Sequence, residues 1–513
     1  MSRRIKARRP TPVSPPPIER DEAIVASFLS DAAHVPGGFA SGVAFPANEA
    51  EVASLVARAN AVLAVGAQSS LTGGATPRGE VVLSTRALDA LHEPSGGRIR
   101  VGAGVPLSAL QQRLASGRLY YPPVPTFDGA SVGGTIATNA AGPATFKYGA
   151  TRRWVEAATI VLANGDVIDV ARGETHASSD GYFEIETTRG EILRVSVPSY
   201  VMPDVPKLSA GYFAMPGMDL IDLFIGAEGT LGIVTEATLR VVARPKRMSA
   251  LVRCADDAQA GALTAALREN ATTAWNQGGP LDVAAIEYMD ARALRAVPDE
   301  AFVRAVVARP SGRSVLLLVQ IEVNGSEDAA LAQLQSVLTA VGVEDEPCMA
   351  LPGDDRTAER LFNLREAVPA SINAIVAAAK RTDPDVEKTA GDMVVPFARL
   401  EESIDLYRVA FEQRGLDYAI WGHVSDGNLH PNVVPHCFDD VRLGREAILD
   451  IARRVIAMGG APLAEHGVGR SALKQQLLRE LYGGDGIDQM RAVKRALDPG
   501  WKLAPGVLFA RRG

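Results

Sequence analysis

The chain has 513 residues, 47% of them hydrophobic and 22% charged; it exceeds the roughly 250–300 residues that one core serves, so two or three domains are expected. A formal charge of -7 argues against general nucleic-acid binding. The three cysteines, Cys254, Cys348 and Cys437, form no CxxC pair, which removes a disulfide framework and an in-chain iron–sulfur cluster from consideration and fits a reducing, cytoplasmic setting.

Residues 1–21, beginning MSRRIKARRPTPVSPPPIER, are basic and then proline-rich, with no apolar h-region behind them. They read as a disordered tail and not as a signal peptide, and peripheral membrane contact through them is left open. No stretch of about 18 uninterrupted apolar residues could span a bilayer. From Asn48, NEAEVASLVARAN has a capping residue, a Glu three positions on, and Val52, Leu55, Val56 and Ala59 at helical spacing, which predicts an amphipathic helix. Residues 61–85, AVLAVGAQSSLTGGATPRGEVVLST, read as strand, glycine loop, strand. A short helix follows at 107–116, with Leu107, Leu110 and Leu114 on one face and Gly117 placed to end it.

Residues 120–149, YYPPVPTFDGASVGGTIATNAAGPATFKYG, are too rich in Gly, Pro, Ala and Thr for a regular element, and a long glycine-rich loop inside a compact domain is usually functional. EAATIVLANGDVIDV reads as a hairpin about Asn164-Gly165. DLIDLFIGAEGTLGIVTEATLRVV, residues 219–242, places another glycine loop before a strand. Near Arg247 the texture changes to strands alternating with helices, in MSALVRC, DAQAGALTAALREN, DVAAIEYM, SVLLLVQIEV and DAALAQLQSVLTAVG. This predicts a second domain, a sheet with helices packed on one face. The divisions are therefore 22–246, 247–455 and a C-terminal segment, 456–513.

Neither glycine loop is a standard nucleotide signature. GAQSSLTGG, residues 66–74, lacks both GxGxxG and GK[ST]. Successive backbone N–H groups in such a loop nevertheless form an anion-binding concavity, to which Ser69, Ser70 and Thr72 add hydroxyls. The small side chains of VGGTIATNAAG let the backbone approach a flat or extended ligand, or simply allow close packing between layers.

GHVSDGNLH, residues 422–430, sets two of the seven histidines across an Asp-Gly-Asn turn, a pattern shared by metal pairs, catalytic pairs and core pairs. If residues 425–428 form a four-residue hairpin loop, His423 faces His430 across the strands, with Cβ atoms about 4.5–5.5 Å apart. Glu465, in AEHGVG, would complete a set of two His and one carboxylate. Such a set also belongs to metallohydrolases, which would leave the glycine loops without a purpose.

Taken together, VGAQSSLTGGATPRGEVVLS, PPVPTFDGASVGGTIATNAAGPATFKYG and FIGAEGTLGIVTEATLRV resemble the FAD-binding domain of the vanillyl-alcohol oxidase and p-cresol methylhydroxylase family. GHVSDGNLH, AEHGVGR and LDPGWKLAPGVL are similar to the D-2-hydroxy-acid dehydrogenase branch: D-lactate dehydrogenases, D-2-hydroxyglutarate dehydrogenases and the flavin subunit of glycolate oxidase. The resemblance implies an α+β fold: a two-part FAD-binding domain, a substrate (cap) domain whose sheet is covered by helices, and a segment 456–513 returning to the FAD domain and the active site. It implies that Gly66, Ala67, Gln68, Ser69, Ser70, Leu71 and Thr72 wrap the pyrophosphate. Pro125, Thr126, Ser131, Gly134, Thr138, Asn139 and Gly142 would line the flavin and diphosphate, and Glu228, Gly232 and Val234 would pack by the adenosine end. The matching stretches hold no His for covalent attachment, so FAD is expected to be dissociable.

The implied reaction is oxidation of a D-2-hydroxy acid to the 2-oxo acid, with hydride passing to flavin N5 and electrons then to an external quinone, cytochrome or electron-transfer flavoprotein. A divalent ion, Zn or Mn first, on His423, His430 and Glu465 would acidify the substrate hydroxyl, and His466 would act as base. Arg365, in LFNLREAVPASI, and Lys388, in EKTAGDMVVP, match carboxylate-binding positions, the latter with looser spacing to Pro396 than usual. Lys207 and Tyr212, in KLSAGY, match a segment near the flavin and receive no role. Ser425 stands where the branch has Gly, and Ala504 where it has Asn, so strain is expected at the turn. A homodimer is left open. A non-redox FAD enzyme of the same fold, such as an alkyl-dihydroxyacetone-phosphate synthase, is a further alternative, although those carry a run of histidines absent here.

Overall fold

The computed structural model describes residues 3–511. In the N-terminal half, Gly42–Ala44, Val81–Ser84 and Val62–Val65 form a parallel sheet in that spatial order, edged by the antiparallel Ile18–Glu19. The helix Glu49–Arg58 makes the crossover, its Asn48 side chain accepting from Glu51 N–H while Glu51 accepts from Ala47 N–H, and it buries Val52, Leu55 and Val56 as the sequence periodicity predicts. A second, antiparallel sheet orders Arg98–Gly102, Ile233–Arg240, Val155–Val161 and Val167–Ala171, with the hairpin closing through Leu162, whose N–H donates to Asp166 O.

Three expectations change. The helix Leu107–Ser116 ends at Gly117, but with φ -91°; the left-handed position falls on Arg118, φ 53°. The glycine-rich stretch contains a helix, Val132–Thr138, because Ser131 Oγ caps it by accepting from Gly134 N–H and Val132 and Ile136 supply a buried face. The basic tail is ordered: Arg4–Lys6 pairs in parallel with Tyr182–Glu186, and its cations have acidic partners. Arg4 meets Glu184, Arg8 bridges Glu49 and Asp169, and Arg9 meets Asp166. These charges are paired within the fold.

The second half is built on an eight-stranded sheet, with Cys348–Ala350, Lys246–Cys254, Val315–Val323, Asp282–Met289, Tyr418–His423 and Asn428–Val433 among its strands in that order. Helices cover both faces, not one. Val252, Leu317 and Val319 pack with Leu263 and Leu267 of the helix Asp257–Gln277, while Leu251, Leu316 and Leu318 pack with Leu361 and Leu364 of the helix Asp355–Thr382. Two-sided burial explains why these strands read as continuous apolar runs. The chain then returns to the first half: Leu503 bridges Val62 in parallel, with Val62 N–H donating to Lys502 O and Ala504 N–H to Val62 O. Among the described residues no helix is long and apolar enough to cross a membrane.

Candidate active site

The loop after the strand Val62–Val65 folds so that several of its amides are left without partners. Ser70 Oγ accepts from Thr72 N–H and Gly74 N–H, folding the loop on itself, whereas the N–H groups of Ser69, Leu71 and Gly73 meet no acceptor among the described residues. Several unspent amides around one turn form the concavity a pyrophosphate would fill. At Gly66 a Cβ would lie 2.2 Å from Ser131 Oγ, and in the second glycine-rich stretch one on Gly142 would lie 2.2 Å from Val124 O. Ala67 and Gln68 belong to the same loop, Gln68 with φ 55° and its amide donating to Ser27 O and Ser30 O. Pro125 lies against Gly142, where a Cβ would come 3.0 Å from Pro125 Cα.

Other residues expected at the cofactor hold the frame together. Thr138 Oγ1 donates to Gly134 O. Asn139, φ 49°, donates to Leu208 O and accepts from Arg152 N–H. Gly232 packs on Ile160 and Val234 pairs with it in the sheet. The Glu228 carboxylate accepts from Val468 N–H and Gly469 N–H, both at 2.8 Å, and burial lifts its pKa to about 7. The segment after His466 thus rests on the cofactor half, with Arg470 N–H donating to Thr72 O.

The histidine hairpin forms with a register different from the expected one. His423 pairs with Asn428 and Trp421 with His430, around a 3-10 turn at Val424–Asp426 that closes through Gly427 at φ 76°. The shift is two residues, so the period-2 alternation keeps both rings on one face, as diagonal neighbours with centroids 5.6 Å apart. Glu465 and His466 follow a segment that bridges Asp392 at Leu463. Glu465 Oε1 lies 3.3 Å from His423 Nε2, 3.3 Å from His430 Nε2 and 3.5 Å from His466 Nε2. His423, His430 and Glu465 therefore offer three converging donors able to hold one divalent ion.

The surroundings are strongly charged and buried. Lys207, fully enclosed, lies 3.0 Å from Glu465 Oε2 and 3.1 Å from Asp426 Oδ2; burial works against its charge, but the two carboxylates outweigh it and raise its pKa. Asp426 thus faces Lys207 and not the imidazoles. Glu287 lies 2.5 Å from His423 Nδ1 and accepts from Arg365 Nε at 2.6 Å. Burial opposes the Glu287 charge, yet Arg365 and His423 bring its pKa down to about 2, and Glu287 in turn raises His423 to about 9 against the cost of burial. Such a carboxylate behind a ligating imidazole fixes its tautomer and leaves Nε2 for a metal.

Arg365 is not the free carboxylate clamp expected from the sequence. It is 5% exposed, its Nε is taken by Glu287 and its Nη1 by Glu366 at 2.6 Å, so it supports Glu287 and through it His423. Lys388 is exposed and makes no ion pair among the described residues. Sequence reasoning passed over Glu287, Asp392 and Lys207 as site residues. A glutamate inside the apolar run DVAAIEYM was a legible signal, since a charge on a strand buried on both faces needs a partner.

Ser425 carries no backbone strain. Its Oγ, fully buried, accepts from Ile286 N–H at 3.1 Å, where the strand Asp282–Met289 is bulged between Val283 and Ala285. The positive φ belongs to Gly427, while Ala504, in the Asn position, does adopt φ 43°. Ser425→Gly is expected to destabilise the protein by about 1–3 kcal/mol, because it orphans a buried N–H. A thermal unfolding midpoint at or above that of the unsubstituted protein would contradict this account.

Comparison with known proteins accords with this architecture. The family of FAD linked oxidases, C-terminal domain, matches residues 244–508, and the FAD binding domain matches residues 40–171. Glycolate oxidase subunit GlcD of Bacillus subtilis is 28% identical over 456 residues, covering 87% of this chain and 83% of the relative. D-lactate dehydrogenase of Archaeoglobus fulgidus is 28% identical, covering 90% and 89%, and D-2-hydroxyglutarate dehydrogenase of Stutzerimonas stutzeri is 28% identical, covering 92% and 91%. Among solved structures, alkyldihydroxyacetonephosphate synthase aligns with a TM-score of 0.63 at 15% identity, over 95% of this chain and 82% of that one, a likeness of fold. The FAD-binding domain leaves a metallohydrolase without support. With one family match spanning more than half of the sequence and a flavin domain ahead of it, the chain belongs to the FAD-linked oxidases.

Proposed function

We propose that the protein oxidises a D-2-hydroxy acid of the lactate, 2-hydroxyglutarate or glycolate class to the 2-oxo acid, with non-covalent FAD as the first acceptor. The observation that carries this is the convergence of three imidazole Nε2 atoms on Glu465 Oε1, on a segment bonded directly to the cofactor loop. The substrates named for the three relatives support the class. His423, His430 and Glu465 hold a divalent ion, Zn or Mn, and Lys207 keeps the second oxygen of Glu465 occupied. An ion held there would supply a Lewis acid for the substrate hydroxyl, and FAD would supply the hydride acceptor. His466 is the base: its side chain is 29% exposed, against 1% for His423 and 8% for His430, so it is the ring a substrate reaches. Electrons leave to an external acceptor such as a quinone, a cytochrome or an electron-transfer flavoprotein.

The test is anaerobic mixing of the FAD- and Mn²⁺- or Zn²⁺-loaded protein with D-lactate, D-2-hydroxyglutarate and glycolate. The flavin band is expected to bleach with at least one of them, and with the D enantiomer over the L. A flavin that stays oxidised with all three defeats the reading.

A further inference from the structure

Behind His466 stands Asp392, a residue of TAGDMVVP with no exposed surface. Its Oδ2 accepts from Glu465 N–H at 2.9 Å and from His466 N–H at 3.0 Å, which fixes the carboxylate to the backbone that carries both residues. The same oxygen lies 3.3 Å from His466 Nδ1. Its Oδ1 accepts from Asn428 Nδ2 at 3.2 Å and lies 3.5 Å from His430 Nδ1. The nearest ammonium, Lys474 Nζ, is 3.9 Å away, too far for a hydrogen bond that would quench the charge. One carboxylate thus reaches the back of the exposed ring, the back of one of the two enclosed rings, and the chain that bears Glu465.

We propose that Asp392 is the positioning residue of the oxidation: it holds His466 with Nδ1–H directed at the carboxylate and Nε2 free toward the substrate, and it balances the charge the ring gains. This rests on the reading of His466 as base. In the step it serves, the substrate O–H bond breaks and its proton goes to His466 Nε2. The α C–H bond breaks with its electron pair leaving for the flavin, and the carbonyl double bond forms. A carboxylate on Nδ1 both selects the neutral tautomer able to accept at Nε2 and stabilises the imidazolium that results.

Asp392, His430 and His466 also lie close enough to be considered metal donors themselves. The geometry disfavours this, because both Asp392 oxygens already accept hydrogen bonds from the protein.

The experiment is Asp392→Asn in the holoprotein, compared by anaerobic stopped flow on a substrate that reduces the flavin of the unsubstituted protein. The limiting rate of reduction is expected to fall by roughly 10²–10⁴-fold, the usual contribution of a base, with substrate affinity changed only a few-fold and with FAD and one metal ion per chain retained. The deficit is expected to shrink with trifluorolactate, whose more acidic hydroxyl depends less on a base, a pattern that mere loosening of the scaffold would not give. Asp392→Glu, which keeps the charge, is expected to recover part of the rate. A rate within about threefold of the unsubstituted protein, loss of metal in step with activity, a second ion in the unsubstituted protein, or a Glu variant as slow as the Asn variant would each overturn the assignment. Failure of the unsubstituted protein to respond to any 2-hydroxy acid would instead remove the proposed function itself.

Discussion

His466→Asn is expected to slow anaerobic flavin reduction by roughly 10²–10⁴-fold while FAD remains bound. Burial, against the pull of Asp392 and Glu465, depresses the pKa of this ring to about 4, so it is neutral near pH 7 and has a lone pair to offer. Asn fills much of the same space and keeps a polar group opposite Asp392, but it cannot take a proton. Retention of FAD is expected because the proposed phosphate contacts, the unspent amides of Ser69, Leu71 and Gly73, do not depend on the imidazole. The measurement is the reduction rate at saturating substrate beside the flavin content of the same preparation. Near-normal reduction would move the base elsewhere.

Glu465→Gln is expected to weaken metal binding by at least about 100-fold, the upper end of what second-sphere substitutions cost, and to abolish reduction after dialysis against a chelator. The variant removes the negative charge on which three rings converge, and it leaves buried Lys207 with Asp426 as its remaining anion. Metal content by elemental analysis, taken with the flavin spectrum, reads the effect. Stoichiometric metal in the dialysed variant would show that the ion is held by other donors. The unsubstituted protein, stripped in the same way, should lose reduction and regain it on addition of Mn²⁺ or Zn²⁺.

Local pattern carried much of the fold. The helix Glu49–Arg58 and the strands Lys246–Cys254 and Asp282–Met289 follow from caps, periodicity and apolar runs, which are properties of neighbours in sequence. The helix Val132–Thr138 was hidden because glycines at 133 and 134 lower helix propensity, while its stability comes from a serine cap and burial supplied by the rest of the domain. The basic arm was misread for a related reason. Its order depends on Glu49, Asp166, Asp169 and Glu184, which no local window contains.

At the site, the motif residues His423, His430, Glu465 and His466 were legible as a group, and the alternation of the hairpin preserved their common face even though the register moved by two. The residues behind them were not legible. Glu287 is 136 positions from His423 and Asp392 is 74 positions from His466, and contacts at such separations leave no periodic trace. Arg365 was assigned to the substrate because an arginine at that place can grip a carboxylate; the structure gives it carboxylates of the protein's own.

The return of the chain to its first sheet bears on when the cofactor can be loaded. Val62, which opens the strand leading into the loop at 66–74, exchanges hydrogen bonds with Lys502 and Ala504, and Arg470 ties Thr76 and Glu80 to Pro505. These partners leave the ribosome hundreds of residues after the loop they brace. A nascent N-terminal half therefore presents the loop at 66–74 without its support, and the braced form of that loop belongs to the end of synthesis rather than its beginning.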